Sequence, residues 1–188
     1  MVEGSKIKKV MSHPNFLTLI RIAAVPAIVI LMIFPNRFFT LLAAALFSVA
    51  AITDYLDGYI ARKRGLETLL GKVMDPVADK LLVSSAFIML TAQSWIPAWM
   101  VCIIVGRELA VTGLRNIIAG KGEDISASWL GKYKTGFQIA AAIPLLIHYT
   151  YFGVNFHVVG YFFLLGALAF TIWSGVDYFI RFRRLLEI

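Results

Sequence analysis

The sequence has little of what a soluble domain or a disulfide-stabilised protein needs. It contains one cysteine, Cys102, so no disulfide can form within the chain, and only 15% of its 188 residues are charged. Acidic residues are the scarcer sign, with 11 Asp and Glu against 18 Lys and Arg. An apolar fraction of 60% and a mean hydropathy of +0.80 indicate a chain that lies mainly in a lipid bilayer. Because Cys102 lies in an apolar stretch, we expect it to be a small buried side chain.

Six apolar segments, each about as long as a bilayer is wide, account for most of the chain. They cover residues 15–35, 39–60, 74–93, 96–119, 130–151 and 157–180. The sequence therefore predicts an all-α integral membrane protein with six transmembrane helices. Its predicted domains are an N-terminal cytoplasmic or interfacial segment, 1–14, and a six-helix membrane domain, 15–188.

The positions of Lys and Arg predict the orientation of these helices. Of the 18 such residues, all but Arg37 fall near the two termini or the even-numbered connections. Cytoplasmic loops of membrane proteins carry an excess of Lys and Arg, so this distribution places both termini in the cytoplasm. It predicts a multi-pass protein of the cell inner (cytoplasmic) membrane. A net charge of +7 in a soluble protein would suggest nucleic acid, but here anionic lipid headgroups are the nearer partner. We expect no nucleic-acid partner.

Acidic residues of the second and third segments recur at helical spacing. Asp54 and Asp57 share one helix face, and Asp75 and Asp79 share a face of the next helix. Helices joined by a short connection are antiparallel neighbours, so the four carboxylates can converge near one membrane surface. An aspartate inside a span costs about 2.5 to 3.5 kcal/mol, and divalent cations such as Mg²⁺ or Mn²⁺ would relieve both this cost and the mutual repulsion. The alternative, separate pairing with nearby Lys and Arg, leaves the shared faces unexplained.

Small residues and an arginine lie among these acids, at Gly58, Ala61, Arg62 and Gly71. Small side chains leave room either for close helix packing or for a ligand group against the backbone. Metals beside carboxylates and an arginine favour a diphosphate ligand. Pro76 either follows a helix cap at Asp75 or kinks a longer helix, and the sequence leaves both open.

The whole pattern, D-x-x-D-G-x-x-A-R, eight residues and then G-x-x-x-D-x-x-x-D, resembles the complete motif of the CDP-alcohol phosphotransferase family. The resemblance implies the CDP-alcohol phosphotransferase fold, a homodimer, and an active site open to the cytoplasm. It also implies that two divalent cations, Mg²⁺ or Mn²⁺, are held by four aspartates, one of which, Asp79, is the general base. By the same resemblance the four metal ligands are Asp54, Asp57, Asp75 and Asp79, and the CDP-binding residues are Asp54, Gly58, Ala61, Arg62 and Gly71.

Weaker matches outside this motif resemble the bacterial members of the family that use glycerol 3-phosphate. They run from Pro14 to Arg21, from Arg107 to Arg115 and from Gly131 to Gln138. Cations at the cytoplasmic ends of the fourth and fifth segments suit the phosphate of such an acceptor. The candidate acceptor-binding residues are Arg107, Arg115, Lys132 and Lys134. The alternative is an ordinary cytoplasmic excess of cations whose side chains reach lipid headgroups. Glu108 is expected to neutralise Arg107 structurally.

The resemblance implies an enzyme of phospholipid biosynthesis that transfers a phosphatidyl group from CDP-diacylglycerol to sn-glycerol 3-phosphate and releases CMP. Alternatives are the same chemistry on serine, an inositol phosphate or phosphatidylglycerol, a cation transporter or channel, or a structural lipid-binding protein. The acidic residues gather near one membrane surface and the sequence shows no inverted repeat. Both observations argue against a transporter. His13, His148 and His157 are scattered along the chain, so no histidine metal site is expected.

Overall fold

The computed structural model describes residues 13–64, 69–120 and 129–183, and the side chains of 20–53, 77–118, 129, 131–180 and 183. These residues form six long helices and one two-stranded antiparallel sheet, which divide between two compact units, Met1–Met89 and Leu90–Ile188. The helices are α1 (His13–Ile33), α2 (Arg37–Arg64), α3 (Leu69–Ala92), α4 (Ala98–Gly120), α5 (Trp129–Ile147) and α6 (Phe156–Arg183). The strands, β1 (Thr150–Tyr151) and β2 (Val154–Asn155), connect α5 to α6. The all-α class is confirmed, with this short hairpin added.

Hydropathy and length separate α6 from the other helices. Among the described residues, one helix is long and apolar enough to cross a bilayer, the 25-residue stretch Phe156–Ile180. Shorter apolar helices cover Ile20–Ile33 and Arg37–Thr53. In α4 the apolar run is divided by charges, at Arg107, Glu108 and Arg115. The six transmembrane spans therefore stay a prediction.

In the first unit, α1 packs against α2. The side chains of Ala24, Ile28 and Met32 are buried and recur every four residues, so they form one apolar face of α1. The Asn36 side chain begins α2, because its Oδ1 accepts hydrogen bonds from the backbone N–H groups of Phe38 and Phe39 at 3.0 and 2.9 Å. This satisfies two donors that the first helical turn would otherwise leave unpaired.

In the second unit, α5 and α6 approach closely at two glycines. A Cβ atom at Gly160 would lie 2.6 Å from Leu145 Cγ, and one at Gly166 would lie 2.7 Å from the ring of Phe137. Either distance is shorter than a carbon–carbon contact allows. A side chain at Gly160, where the Leu145 backbone nitrogen is 2.8 Å away, would force the helices apart, and one at Gly166 would displace the Phe137 ring. The same unit contains the contact between α4 and α6.

The turn between α5 and α6 shortens the predicted fifth segment, which was expected to reach residue 151. Helix α5 ends at Ile147 because His148 adopts a left-handed φ of 60°, while its N–H still bonds the Pro144 carbonyl at 2.9 Å. Left-handed φ values at Phe152 (52°) and Gly153 (78°) then close the hairpin. Apolar composition alone did not reveal this turn.

Two further expectations are corrected by helix positions. Helix α3 begins at Leu69 and continues through Pro76, so the alternative in which Asp75 caps a helix starting at Pro76 is wrong. Cys102, expected to be buried, is exposed on α4. In a chain this rich in apolar residues, an apolar stretch can face outward as readily as inward, so composition did not predict its burial.

Candidate active site

Asp79 of α3 is held by an arginine from the first helix. Arg21 Nη1 lies 2.7 Å from Asp79 Oδ1 and donates a hydrogen bond to it. The Arg21 side chain is only 4% exposed, whereas that of Asp79 is 44% exposed. A buried guanidinium requires a carboxylate partner, and a partner so exposed can still meet a ligand. The ion pair therefore fixes one oxygen of the predicted general base.

The other residues of the predicted metal and CDP sites lie outside the described side chains. Their backbone is described and is helical, in α2 up to Arg64 and in α3 from Leu69. A continuous helix preserves the spacing that places residues three and four apart on one face. The convergence of the side chains stays a prediction for Asp54, Asp57, Gly58, Ala61, Arg62, Gly71 and Asp75.

In the second unit, Glu108 of α4 is the centre of a buried polar cluster. It forms an ion pair with Lys134 Nζ of α5, and its Oε1 accepts a longer hydrogen bond of 3.4 Å from Gln138 Nε2. Arg107 Nη1 lies 3.7 Å from the same oxygen. Since Lys134 and Gln138 are buried, Glu108 compensates groups on a neighbouring helix as well as the arginine beside it.

Two arginines of α4 share one tyrosine of α6. Arg115 Nη2 donates a 2.7 Å hydrogen bond to the hydroxyl of Tyr178, and its guanidinium carbon lies 5.4 Å from the ring centroid. The corresponding distance for Arg107 is 5.5 Å. Tyr178 is buried, and Val111 and Ile118 pack in the same cluster. Attraction between the cations and the aromatic ring helps to hold two like charges close together.

The four predicted acceptor-binding cations thus have different surroundings. Arg107 and Arg115 meet at Tyr178, and Lys134 is paired with Glu108. Lys132 is exposed and lies over the ring of Trp129, with 5.4 Å between Nζ and the ring centroid. Among the described side chains, the structure brings the two arginines together and places Lys132 elsewhere on α5.

Two histidines expected to be scattered are in fact neighbours. The rings of His148 and His157 have centroids 5.0 Å apart, and His148 also stacks on Trp95 at 3.6 Å. The turn after α5 brings them together. Among the described residues, no group of three or more His, Cys, Asp or Glu side chains is arranged to hold a metal ion.

Sequence reasoning missed the roles of Arg21 and Tyr178. A usable signal existed for Arg21, because a cation inside an apolar segment needs a partner. Tyr178 gave no such signal, since its role depends on the packing of α4 against α6.

Comparison with known proteins identifies the family to which this chain belongs. The model of the CDP-alcohol phosphatidyltransferase family matches residues 11–173. The chain belongs to this family, as the aspartate motif predicted.

Several similar bacterial proteins carry one name, CDP-diacylglycerol--glycerol-3-phosphate 3-phosphatidyltransferase. The protein from Bacillus subtilis (strain 168) is 44% identical over 184 residues, which cover 89% of this chain and 93% of the relative. That from Rickettsia bellii (strain RML369-C) is 40% identical over 167 residues, covering 88% and 92%. That from Salmonella choleraesuis (strain SC-B67) is 34% identical over 169 residues, covering 88% and 91%.

Proposed function

We propose that this chain transfers the phosphatidyl group of CDP-diacylglycerol to sn-glycerol 3-phosphate, giving phosphatidylglycerophosphate and CMP. The observation that carries this is similarity along nearly the whole chain to relatives named for that reaction, up to 44% identity over 89% of its length. The complete aspartate motif adds support, since it supplies the residues that such a transfer needs. The chain is a transferase of phospholipid biosynthesis.

The donor atoms of the motif fit divalent metal ions. Helical backbone at positions 54, 57, 75 and 79 keeps the carboxylates at spacings of three and four residues, and carboxylate oxygens are ligands that Mg²⁺ and Mn²⁺ prefer. Asp54, Asp57, Asp75 and Asp79 would hold two such ions. When bound, the ions would polarise the diphosphate and stabilise the negative charge of departing CMP.

Asp79 is the proposed general base. It accepts the proton of the attacking glycerol 3-phosphate hydroxyl, whose oxygen forms a bond to the lipid-side phosphorus as the bond from that phosphorus to CMP breaks. The contact of Arg21 with Asp79 Oδ1 limits the rotation of the carboxylate, so the base is oriented before the acceptor arrives. The CDP group would be contacted by Asp54, Gly58, Ala61, Arg62 and Gly71.

The acceptor's phosphate needs cations that are not already neutralised. Of the four candidates, Arg107 and Arg115 are the stronger, because the hydrogen-bonded ion pair of Glu108 is with Lys134, Arg107 lies farther from Glu108 at 3.7 Å, and Lys132 lies over Trp129. The Tyr178 hydroxyl orients Arg115, and an arginine fork can hold two phosphate oxygens. We assign the acceptor's phosphate to these arginines, with Lys134 contributing through its place in the Glu108 cluster.

The enzyme is proposed to be a homodimer in the inner (cytoplasmic) membrane, with six transmembrane helices in a domain of residues 15–188. Both termini, the 1–14 segment and the active site would face the cytoplasm. The cation distribution supports this orientation, and the apolar stretch Phe156–Ile180 of α6 supports membrane insertion. Substituted cysteines at Gly65 and Gly153 should react with impermeant reagent from opposite sides.

The decisive experiment measures the acceptor. Purified protein is given CDP-diacylglycerol with Mg²⁺ or Mn²⁺ and one of glycerol 3-phosphate, serine, inositol phosphate or phosphatidylglycerol, and CMP release and the mass of the lipid product are recorded. Of the four acceptors, we expect only glycerol 3-phosphate to give CMP and a lipid product, phosphatidylglycerophosphate. We expect no turnover after the divalent metal ions are chelated. Turnover with serine and none with glycerol 3-phosphate would contradict the proposal.

A further inference from the structure

Two histidines beside the turn between α5 and α6 have no role in the chemistry above. His148 follows the last residue of α5, and His157 is the second residue of α6. Their ring centroids are 5.0 Å apart, and both residues belong to the unit Leu90–Ile188. Lys134 lies more than three helical turns before His148, about 20 Å away along α5, so the histidine pair is separate from the Glu108 cluster.

The backbone of the hairpin brings these histidines together. Thr150 pairs with Asn155, and Tyr151 pairs with Val154. Continuing the same antiparallel register by two residues in each direction places position 148 opposite position 157. The left-handed φ of 60° at His148 ends α5 at this point, so the chain turns back towards the start of α6. The two imidazoles are therefore neighbours because of the register of the turn.

One nitrogen of each ring is buried and has no hydrogen-bond partner in the described part of the chain. These atoms are Nδ1 of His148 and Nδ1 of His157. Buried polar atoms are nearly always paired, so two such atoms on adjacent rings point to a shared ligand. Residues 81–106 and 135–176 contain no Asp, Glu, Lys or Arg, so no charged side chain of these stretches pairs with the rings. A neutral imidazole, the usual form at pH 7, offers a lone pair on one nitrogen.

The separation of the two rings suits a metal ion. With a nitrogen–metal bond of about 2.0 to 2.1 Å, two imidazoles bound at a tetrahedral angle have ring centroids roughly 5 Å apart. The observed separation is 5.0 Å. The ring of His148 is also held in place, because it stacks on Trp95 with centroids 3.6 Å apart and planes inclined by 13°. One of the two nitrogen ligands is therefore oriented before an ion binds.

The ligand type decides which ions fit. Imidazole nitrogen suits Zn²⁺ and Cu²⁺, whereas Mg²⁺ and Mn²⁺ prefer the carboxylate oxygens of the aspartate motif. Among the described residues, no third His, Cys, Asp or Glu side chain joins the two histidines in a metal-holding group. Water would supply the remaining ligands, so we expect binding that is reversible and weaker than at a structural zinc site with four protein ligands.

We infer that His148 and His157 bind one late transition-metal ion, Zn²⁺ or Cu²⁺, between the end of α5 and the start of α6, with water completing its coordination. The inference is independent of the proposed reaction and of its metal ions. Bound metal would join the two helix ends close to Gly160, where α5 and α6 approach most tightly. Because the ion binds the folded turn, it should also raise the thermal midpoint of the protein.

Metal binding is measured on the purified, metal-free full chain in detergent, with excess Mg²⁺ present to occupy the aspartates. Native mass spectrometry counts the Zn²⁺ or Cu²⁺ ions bound, and a titration gives their affinity. His148→Asn and His157→Asn should each remove one ion per chain or weaken its binding by at least about tenfold, since even the loss of a group that only supports a metal ligand costs about 10- to 100-fold. Asparagine tolerates the left-handed backbone of position 148.

The matched control is His13→Asn, which removes the third histidine of the chain and should bind as the wild type does. Thermal midpoints without metal show which variants are folded, and only the wild type and the control should gain stability when Zn²⁺ is added. Equal stoichiometry and affinity in the wild type and both turn variants would overturn the inference, as would no binding in the wild type. CMP release with Mg²⁺ should be unchanged in both turn variants. It is recorded separately, so failure of the proposed reaction remains distinguishable.

Discussion

The two units of the chain solve the problem of charge among apolar helices in different ways. In Met1–Met89, the described cation–carboxylate contact of Arg21 and Asp79 leaves the carboxylate 44% exposed. The unit Leu90–Ile188 instead contains two groups of polar contacts that are mostly buried. One joins Glu108 to Lys134, Gln138 and Arg107, and the other joins Arg115 and Arg107 to Tyr178. The first arrangement leaves a reactive group accessible, and the second shields its groups from solvent. We therefore expect substitutions at the Arg21–Asp79 contact to lower the rate of the chemical step. Substitutions in the buried contacts of the second unit should lower the stability of the fold or the affinity for the acceptor.

The largest effect should come from Asp79→Asn. The amide keeps the shape of the carboxylate but cannot accept the proton, so CMP release should fall by at least the roughly 10² to 10⁴-fold of a lost general base. The protein should still fold, since an amide oxygen can still accept the hydrogen bond from Arg21. Normal turnover in this variant would remove Asp79 from the mechanism.

Glu108→Gln tests whether a substitution in the buried contacts of the second unit lowers stability. It leaves the buried Lys134 without a carboxylate, and breaking a buried ion pair on one side typically costs about 3 to 5 kcal/mol. The thermal midpoint in detergent should fall markedly. The double variant Glu108→Gln with Lys134→Met should recover part of the loss, because no unpaired charge remains. A stable single variant that is merely inactive would make Glu108 a reactive group and erase the contrast between the units.

Arg115→Ala should separate acceptor binding from general stability. Loss of a charge-assisted contact of about 1.5 to 3 kcal/mol predicts a fall in kcat/KM for glycerol 3-phosphate of about 10- to 150-fold. Binding of CDP-diacylglycerol should change little. Tyr178→Phe is the milder companion, since it removes the hydroxyl that orients Arg115 and keeps the ring. If Arg115→Ala left kcat/KM for glycerol 3-phosphate unchanged, Arg115 would not bind the acceptor's phosphate.

The smallest effect expected concerns packing alone. Gly166→Ala places a carbon 2.7 Å from the Phe137 ring, and overpacking of this kind costs about 1 to 3 kcal/mol. Gly136→Ala in α5 is the matched control, because a Cβ there meets nothing within 4 Å. The thermal midpoint should fall for Gly166→Ala and stay level or rise for Gly136→Ala. Equal midpoints for the two variants would show that α5 and α6 adjust freely.

Contacts between residues close together in the sequence could be predicted, whereas contacts between residues far apart in the sequence could not. The aspartate motif lies within residues 54–79 and has helical spacing, so its pattern was visible without knowing which helices touch. The Arg21–Asp79 contact spans 58 positions and the Arg115–Tyr178 contact spans 63, and no local pattern encodes either pair. The six helices were predicted because long apolar runs favour them. The end of α5 was not, because it depends on the left-handed backbone of His148.

The Glu108–Lys134 pair also has a consequence for biosynthesis. Chains are made from the N terminus, so Glu108 on α4 emerges from the ribosome before Lys134 on α5. In the proposed six-span arrangement, Lys134 lies near the cytoplasmic end of α5, where burying a lone lysine costs less than the roughly 2.5 to 3.5 kcal/mol of a charge at the centre of a span but still opposes insertion. Its carboxylate partner is already in place when α5 arrives, so the pair lowers the cost of inserting the later helix. The order of the two charges along the chain thus means that the carboxylate able to neutralise Lys134 is synthesised before Lys134 itself.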